Sequence, residues 1–317
     1  MSAASPALAF FAEPWCATHP LTAHDRAVMT QVRAMAEPQK GQMRGVAARP
    51  TFDALIQHTT APDGVTWRAD RVGGVHGWWC EPVSAPADVA ILHLHGGWFN
   101  WGSAEAYHHI VGQIARSAGA KAFVPDYRLA PEHPFPAGAD DARACLDGLL
   151  DLGLRAVAVT GDSAGGNLAL GLLASAQAGR LVGAAVLSPV TDLTLSGESW
   201  TGRAEADPFF VRDQAEGLIN AYLAGHDPAD PAASPLFSGL AGLPPVRVHV
   251  GDDEVLRDDS LNYVQRAVAA GVDAQVDVWA GMPHGFLGSV GQLDAADAEL
   301  ALLGAFLAQR LSTVRAG

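Results

Sequence analysis

Three stretches of the chain hold residues whose types and order could carry out acyl transfer. Ser163 stands in "VTGDSAGGN", His284 in "VWAGMPHGF", and a crowd of carboxylates in "GDDEVLRDD" lies between them in chain order. A serine hydroxyl is a weak nucleophile at neutral pH. It becomes competent when an imidazole takes its proton and a carboxylate holds that imidazole in the right tautomer. Gly161-Asp162-Ser163-Ala164-Gly165 fits G-x-S-x-G, between the strand-like "RAVAV" and the helical "NLALGLLASA". In that setting the turn is so tight that side chains two places from the serine would collide. The serine is pushed into a strained conformation at the N-terminus of a helix, where negative charge is favoured. The plain alternative is a serine N-cap beside a glycine-rich turn.

Acyl transfer also needs donors for an oxyanion. "HLHGGWFNWG" follows the strand-like "VAILHLH", and its glycine pair leaves backbone N–H groups free to point at an incoming oxygen. The N–H groups of Gly97, Trp98 and Ala164 are the candidate donors, with His95 and Gly96 supporting the loop. His93 and His95, two apart on a strand, share a face and could instead be read as metal ligands. Spacing suggests no third ligand, so neither a metal nor another cofactor is expected. His108 and His109 read as solvated residues on a helix surface.

The base should come late, after the last strand, and His284 on its Gly/Pro turn fills that place. For the acid, Asp252, Asp253, Glu254, Asp258 and Asp259 all follow the strand "VRVHV", and a solvated acidic helix start is the plain alternative for the group.

The elements that would position these groups are legible from their periods. "VTWRADRV" and "HGWWCEPV" alternate and are joined through Gly73 and Gly74, a hairpin signal. "VAILHLH" is a nearly continuous apolar run, as in a strand covered on both faces. "KAFVPDY", "RAVAVTG", "GAAVLSP", "VRVHVGD" and "AQVDVWA" are further strands. Helices are expected near Ala139 to Leu150, from Ser163 to about Ala178, near Asp258 to Ala270 and near Asp294 to Leu311. This is an α/β class: a mostly parallel sheet with helices on both faces. Residues 1–50 read as N-terminal cap helices, with Val28, Met29, Val32 and Met35 near one face; that face suits a core or a substrate entrance equally. Residues 51–317 read as the catalytic domain. Its interval from about 191 to 243 is far too long for an ordinary connection and reads as a cap insertion. Sites in such sheets lie at the C-terminal strand edge beneath it.

Bulk properties remove other classes. The formal net charge is −14, and Lys40 and Lys121 are the only lysines. Nucleic acid is therefore not an expected partner, since its binding draws on cations at phosphates. Three widely spaced cysteines, Cys16, Cys80 and Cys145, form neither a metal pair nor a disulfide framework, which fits a reducing compartment. No apolar run approaches the ~18 residues of a membrane span. "MSAASPALAFFAEP" has no cationic start, so a cytoplasmic protein without a signal peptide is expected.

Taken together, "HGGW", "DYRLAPEHPFPA", "GDSAGGN", "SPVTDLT", "EVLRDD" and "MPHGF" resemble the hormone-sensitive-lipase-like family of α/β-hydrolases, in its bacterial carboxylesterase branch. They span about two thirds of the chain, from Val89 to Phe286. "YRLAPE" is the most diagnostic block. The resemblance implies an α/β-hydrolase fold with an eight-stranded sheet and a helical cap, no cofactor, and short- to medium-chain esters as substrates. It makes Ser163 the nucleophile and His284 the base, aligns Glu254 with the acid, and leaves Asp141 structural. Glu254 also lies between Asp252 and Asp253, suited to a turn, and Asp258 and Asp259, expected inside the next helix. One departure stands out: Trp98 replaces the third glycine of the family's H-G-G-G loop, closer to the H-G-G-Y/W loop of formamidase-like hydrolases. Its N–H can still donate, and its indole would narrow or line the acyl pocket.

The reading is a serine carboxylesterase acting on small-molecule esters through an acyl-enzyme, with Trp98, Phe99, Phe209, Phe210 and Phe286 as candidate pocket residues. An amidase, formamidase or lactonase with the same triad stays open. So does, more remotely, a non-catalytic ligand-binding receptor on the same fold, although such receptors lose a triad member. Oligomeric state is open, a homodimer included.

Overall fold

The computed structural model describes residues 13–175 and 181–313. The readings made of residues 1–12 and 176–178 fall outside this span, and the helix expected from Ser163 to about Ala178 ends at Leu173. Among the described residues nine strands form one sheet: β1 (Cys16–His19), β2 (Val65–Val72), β3 (Val75–Pro82), β4 (Val89–Leu94), β5 (Ala122–Pro125), β6 (Ala156–Asp162), β7 (Leu181–Leu187), β8 (Val246–Gly251) and β9 (Ala274–Trp279). Their order is β1-β9-β8-β7-β6-β4-β5-β3-β2. The β2–β3 and β3–β5 pairs are antiparallel and the others parallel. The sheet thus has nine strands rather than the expected eight. The extra one is β1, a four-residue edge strand in a region expected to be helical, held by its pairing with β9.

The helices are α1 (Ala23–Ala36), α2 (Arg49–Ile56), α3 (Ala104–Ala118), α4 (Ala137–Asp151), α5 (Ala164–Leu173), α6 (Ser199–Gly202), α7 (Arg212–Leu223), α8 (Arg257–Ala269) and α9 (Asp294–Ser312). Every residue of β4 is buried, because its side chains alternate between two cores. Ala90, Leu92 and Leu94 join Leu146, Leu168 and Tyr263 on the α4/α5/α8 side. Val89 and Ile91 join Ile114, Leu303 and Phe306 on the α3/α9 side. Burying such side chains contributes roughly 1.5–3 kcal/mol each. In α1, Met29 is buried, whereas Met35 is 71% exposed and belongs to no core.

Topology brings the chemistry together. Strand order reverses at β4, which lies between β5 and β6, so the loop after β4 and the turn after β6 leave the sheet side by side (Leu94 pairs with Gly161). This switch point is where open α/β sheets bind ligands. The N-terminal segment also meets the interval between β7 and β8. Lys40 Nζ donates to the carbonyls of Ala204 and Asp207, Gly41 N to Phe209 O at 3.0 Å, and Gln214 Nε2 to Met43 O at 2.8 Å. Among the described residues, no helix is long and apolar enough to cross a membrane.

Candidate active site

Ser163 joins β6 to α5 with φ 54° and ψ −120°, a region that costs a non-glycine residue of order 1–3 kcal/mol. Neighbouring backbone holds it there. Ser163 N donates to Leu187 O at 2.8 Å, and Ser163 O accepts from Asn167 N and Val190 N, each at 3.1 Å. The flanking glycines are needed for close approach: a Cβ on Gly165 would collide with the carbonyl oxygens of Leu94 and His95, and one on Gly161 with that of Gly165.

The carbonyls of Leu94 and His95 lie where β4 passes into the oxyanion loop. Gly97, Trp98 and Phe99 all have positive φ, at 114°, 53° and 61°. The N–H groups of Gly97, Trp98 and Ala164 donate to no backbone acceptor among the described residues. The loop is fixed from beneath. Asp162 Oδ1 accepts Gly96 N at 3.0 Å, and Asp162 Oδ2 accepts the Tyr107 hydroxyl at 2.9 Å. Tyr127 donates to His95 O at 2.6 Å and stacks on the His95 ring at 4.2 Å. His95 bonds through Nδ1 to Gly96 O at 2.8 Å, and His93 through Nδ1 to Thr160 Oγ1 at 2.8 Å. Both rings are therefore built into the loop's foundation, and burial lowers the pKa of His95.

His284, on the loop after β9, bonds through Nδ1 to Glu254 Oε2 at 2.8 Å. Glu254 is fully buried, and its other oxygen accepts Gly251 N and Ser188 Oγ, each at 2.6 Å. The neighbouring carboxylates are engaged elsewhere. Asp252 pairs with Arg203 and Arg257, and Asp253 with Arg33. Asp258 accepts Ser199 N, and Asp259 accepts the N–H groups of Thr191 and Asp192. Asp141 is bound by Arg128 through its main-chain N and guanidinium. Burial alone would lower the pKa of His284. The hydrogen bond and charge of Glu254, with the charges of Asp207 and Asp162, outweigh it and raise the value.

The candidate pocket aromatics separate. Phe210 makes T-shaped contacts with His284 and Trp98, with ring centroids 5.0 and 5.3 Å apart, and Phe209 packs on Phe210. Phe286 lies two residues beyond His284 and packs on Trp279. Phe99 is instead stacked on Tyr222 at 3.8 Å, which ties the oxyanion loop to α7. Trp200 also lies beside Trp98, at 6.4 Å. Sequence reasoning assigned no part to Asp162, Ser188, Tyr107 or Tyr127. Asp162 adjoins the serine and Tyr127 opens "YRLAPE", but their contacts exist only once the sheet has formed.

Comparison with known proteins gives a consistent result. A family model described as the alpha/beta hydrolase fold matches residues 91–288. An esterase of Acinetobacter venetianus is 35% identical over 76% of this chain and 81% of its own length. A carboxylesterase of Mycobacterium tuberculosis is 34% identical over 74% of this chain and 75% of its own. Among solved structures, an esterase from the bacterial hormone-sensitive lipase family superimposes with a TM-score of 0.85 at 33% identity, covering 92% of this chain and 100% of that one.

Proposed function

The chain belongs to the hormone-sensitive-lipase-like α/β-hydrolases and hydrolyses carboxylic esters, and from that premise we propose a serine esterase for short- to medium-chain esters. Ser163 is the nucleophile, His284 the base and Glu254 the carboxylate behind it. The observation that carries this reading is the 2.8 Å bond from His284 Nδ1 to buried Glu254, on loops that leave the same edge of the sheet as the strained serine turn. Glu254 selects the tautomer with its proton on Nδ1, which leaves Nε2 to take the Ser163 proton as Oγ attacks the ester carbonyl. The N–H groups of Gly97, Trp98 and Ala164 receive the negative charge that develops on the carbonyl oxygen. His284 then returns the proton to the departing alcohol, and water repeats the sequence to release the acid.

The N-terminal helices and the 191–243 interval act together as the cap. Trp98, Phe209 and Phe210 line the acyl side, and Phe286 lies beside the histidine. The bulk of Trp98, only 1% exposed and packed between Phe210 and Trp200, supports an upper limit on acyl length. In a series of p-nitrophenyl esters from acetate to palmitate, kcat/KM should peak at or below about eight carbons, given a loss of ~1–3 kcal/mol for each methylene that does not fit. Equal values for butyrate and palmitate would mean an open pocket, and no turnover of any member would remove the esterase reading.

A second expectation concerns pH. His284 works as a base only when neutral, and its pKa is raised above the ordinary 6.5. Lowering the pH through that raised value protonates it, so kcat/KM should fall on the acid side with a midpoint above 6.5 and level off above it. A pH–rate profile with an acid limb centred below 6.5 would contradict this.

A further inference from the structure

A small cavity beside His284 is lined by Tyr107 and Ile110 of α3 and Glu299 of α9, and Trp98, Phe209 and Phe210 are not among its lining residues. His284 forms part of its wall, with Tyr107, Asp162, Ser188 and Glu299 as its other polar residues. It leaves about 40 Å³ for the centres of water molecules, more than one water needs, and it offers the several polar partners a water requires. Glu299 is the unexpected member. It sits on α9 among Leu303, Phe306 and Leu307, is 2% exposed, and its Oε2 finds no partner among the described residues. A buried carboxyl without a partner is costly, and leucine would suit the helix packing better. Burial pushes the carboxyl well above its usual range, toward the neutral form that can both donate and accept.

We propose that this cavity holds the water that hydrolyses the acyl-enzyme, and that Glu299 is the residue that positions it. The inference rests on the serine-esterase reading given above. In the step it serves, the water oxygen bonds to the acyl carbon and its proton passes to His284 Nε2. The acyl carbon–Ser163 Oγ bond then breaks, and Oγ takes that proton from His284. The carboxylic acid leaves with no other reactant. On this proposal water reaches the histidine past α3 and α9, while the ester lies against Trp98, Phe209 and Phe210.

The test is the partition of the butyryl-enzyme between water and 1-butanol, an alcohol that can attack from the position the ester's own alcohol leaves and needs no place beside Glu299. Butyric acid and butyl butyrate are measured with p-nitrophenyl butyrate and phenyl butyrate as donors. Glu299→Leu removes the polar partner. Gly288→Val narrows the cavity from its wall, where a Cβ meets only Thr59 Oγ1 at 3.5 Å and Ile110 Cδ1 at 3.8 Å. Both should raise the ratio of butyl butyrate to butyric acid by roughly tenfold, as expected when a reactant loses its orientation. Glu299→Gln, which still donates and accepts, should stay near wild type. A purely structural role would slow both products together and leave the ratio unchanged. A wild-type ratio in a folded Glu299→Leu or Gly288→Val variant overturns the proposal, and if Glu299→Leu does not fold, Gly288→Val decides alone. If the wild-type ratio differs between the two donors, the shared acyl-enzyme, and with it the underlying serine-esterase reading, is what fails.

Discussion

Ser163→Ala is expected to lower kcat on p-nitrophenyl butyrate by about four to six orders of magnitude, the range seen when a triad nucleophile is removed. The residual rate would come from the oxyanion donors and substrate binding, which the substitution leaves in place. Folding should be nearly unaffected. The contacts that hold the turn run from Ser163 N to Leu187 O and from Asn167 N and Val190 N to Ser163 O, and none involves the side chain. Tm should therefore shift by no more than a few degrees, the response to a change of about 1 kcal/mol. Intact-mass analysis after treatment with a fluorophosphonate gives an independent check. One adduct should form, on Ser163 of the wild type, and none on the alanine variant. An adduct on another residue, or a variant with near-normal turnover, would remove Ser163 from the reaction.

How far this site could be read from sequence depended on the range of each contact. The hairpin through Gly73 and Gly74 and the apolar runs of β4 and β6 are local patterns, and the structure places strands there. Edge strand β1 was not legible: "CATH" has no period of its own and is defined by its register with Val276 to Trp279. The apolar stripe expected on α1 holds at Met29 and fails at Met35, because periodicity gives the face of a helix but not where its partner ends. The glycines around Ser163 announced a tight turn, and the clash of Gly161 with the Gly165 carbonyl is local, but the need for Gly165 against the carbonyls of Leu94 and His95 arises only once β4 lies beside β6. Ser188 and Glu254, 66 residues apart, meet only through the pairing of β7 with β8. Asp162 was visible beside the serine, but its hold on Gly96 needs β4 and β6 side by side. Phe99 was expected in the pocket as one more aromatic near the loop. Its stacking on Tyr222 depends on where α7 lies, which no local pattern reveals.

The acid gives the second large effect, and the structure makes the expected chemistry specific. Glu254→Gln preserves shape and hydrogen-bonding capacity, so any loss must come from charge and proton position. Two donors, Gly251 N and Ser188 Oγ, both point at Oε1. They fix the amide with its oxygen at that position and its NH₂ group toward His284. An N–H donor facing Nδ1 forces the imidazole proton onto Nε2, the atom that must accept the proton from Ser163. The base is then in the wrong tautomer, and its protonated form has lost its compensating charge. A fall in kcat of about 10⁴-fold is expected, the size found when a triad aspartate becomes asparagine. Butyrate KM should change little, because Glu254 is buried behind the histidine and touches no substrate. Asp253→Asn and Asp258→Asn should each cost less than about tenfold in kcat, since Asp253 is engaged by Arg33 and Asp258 by Ser199 N and neither carboxylate bonds to His284. If Asp253→Asn or Asp258→Asn were the crippling change while Glu254→Gln kept its activity, the bond between Glu254 and His284 would be a structural contact and the acid would have to be sought elsewhere.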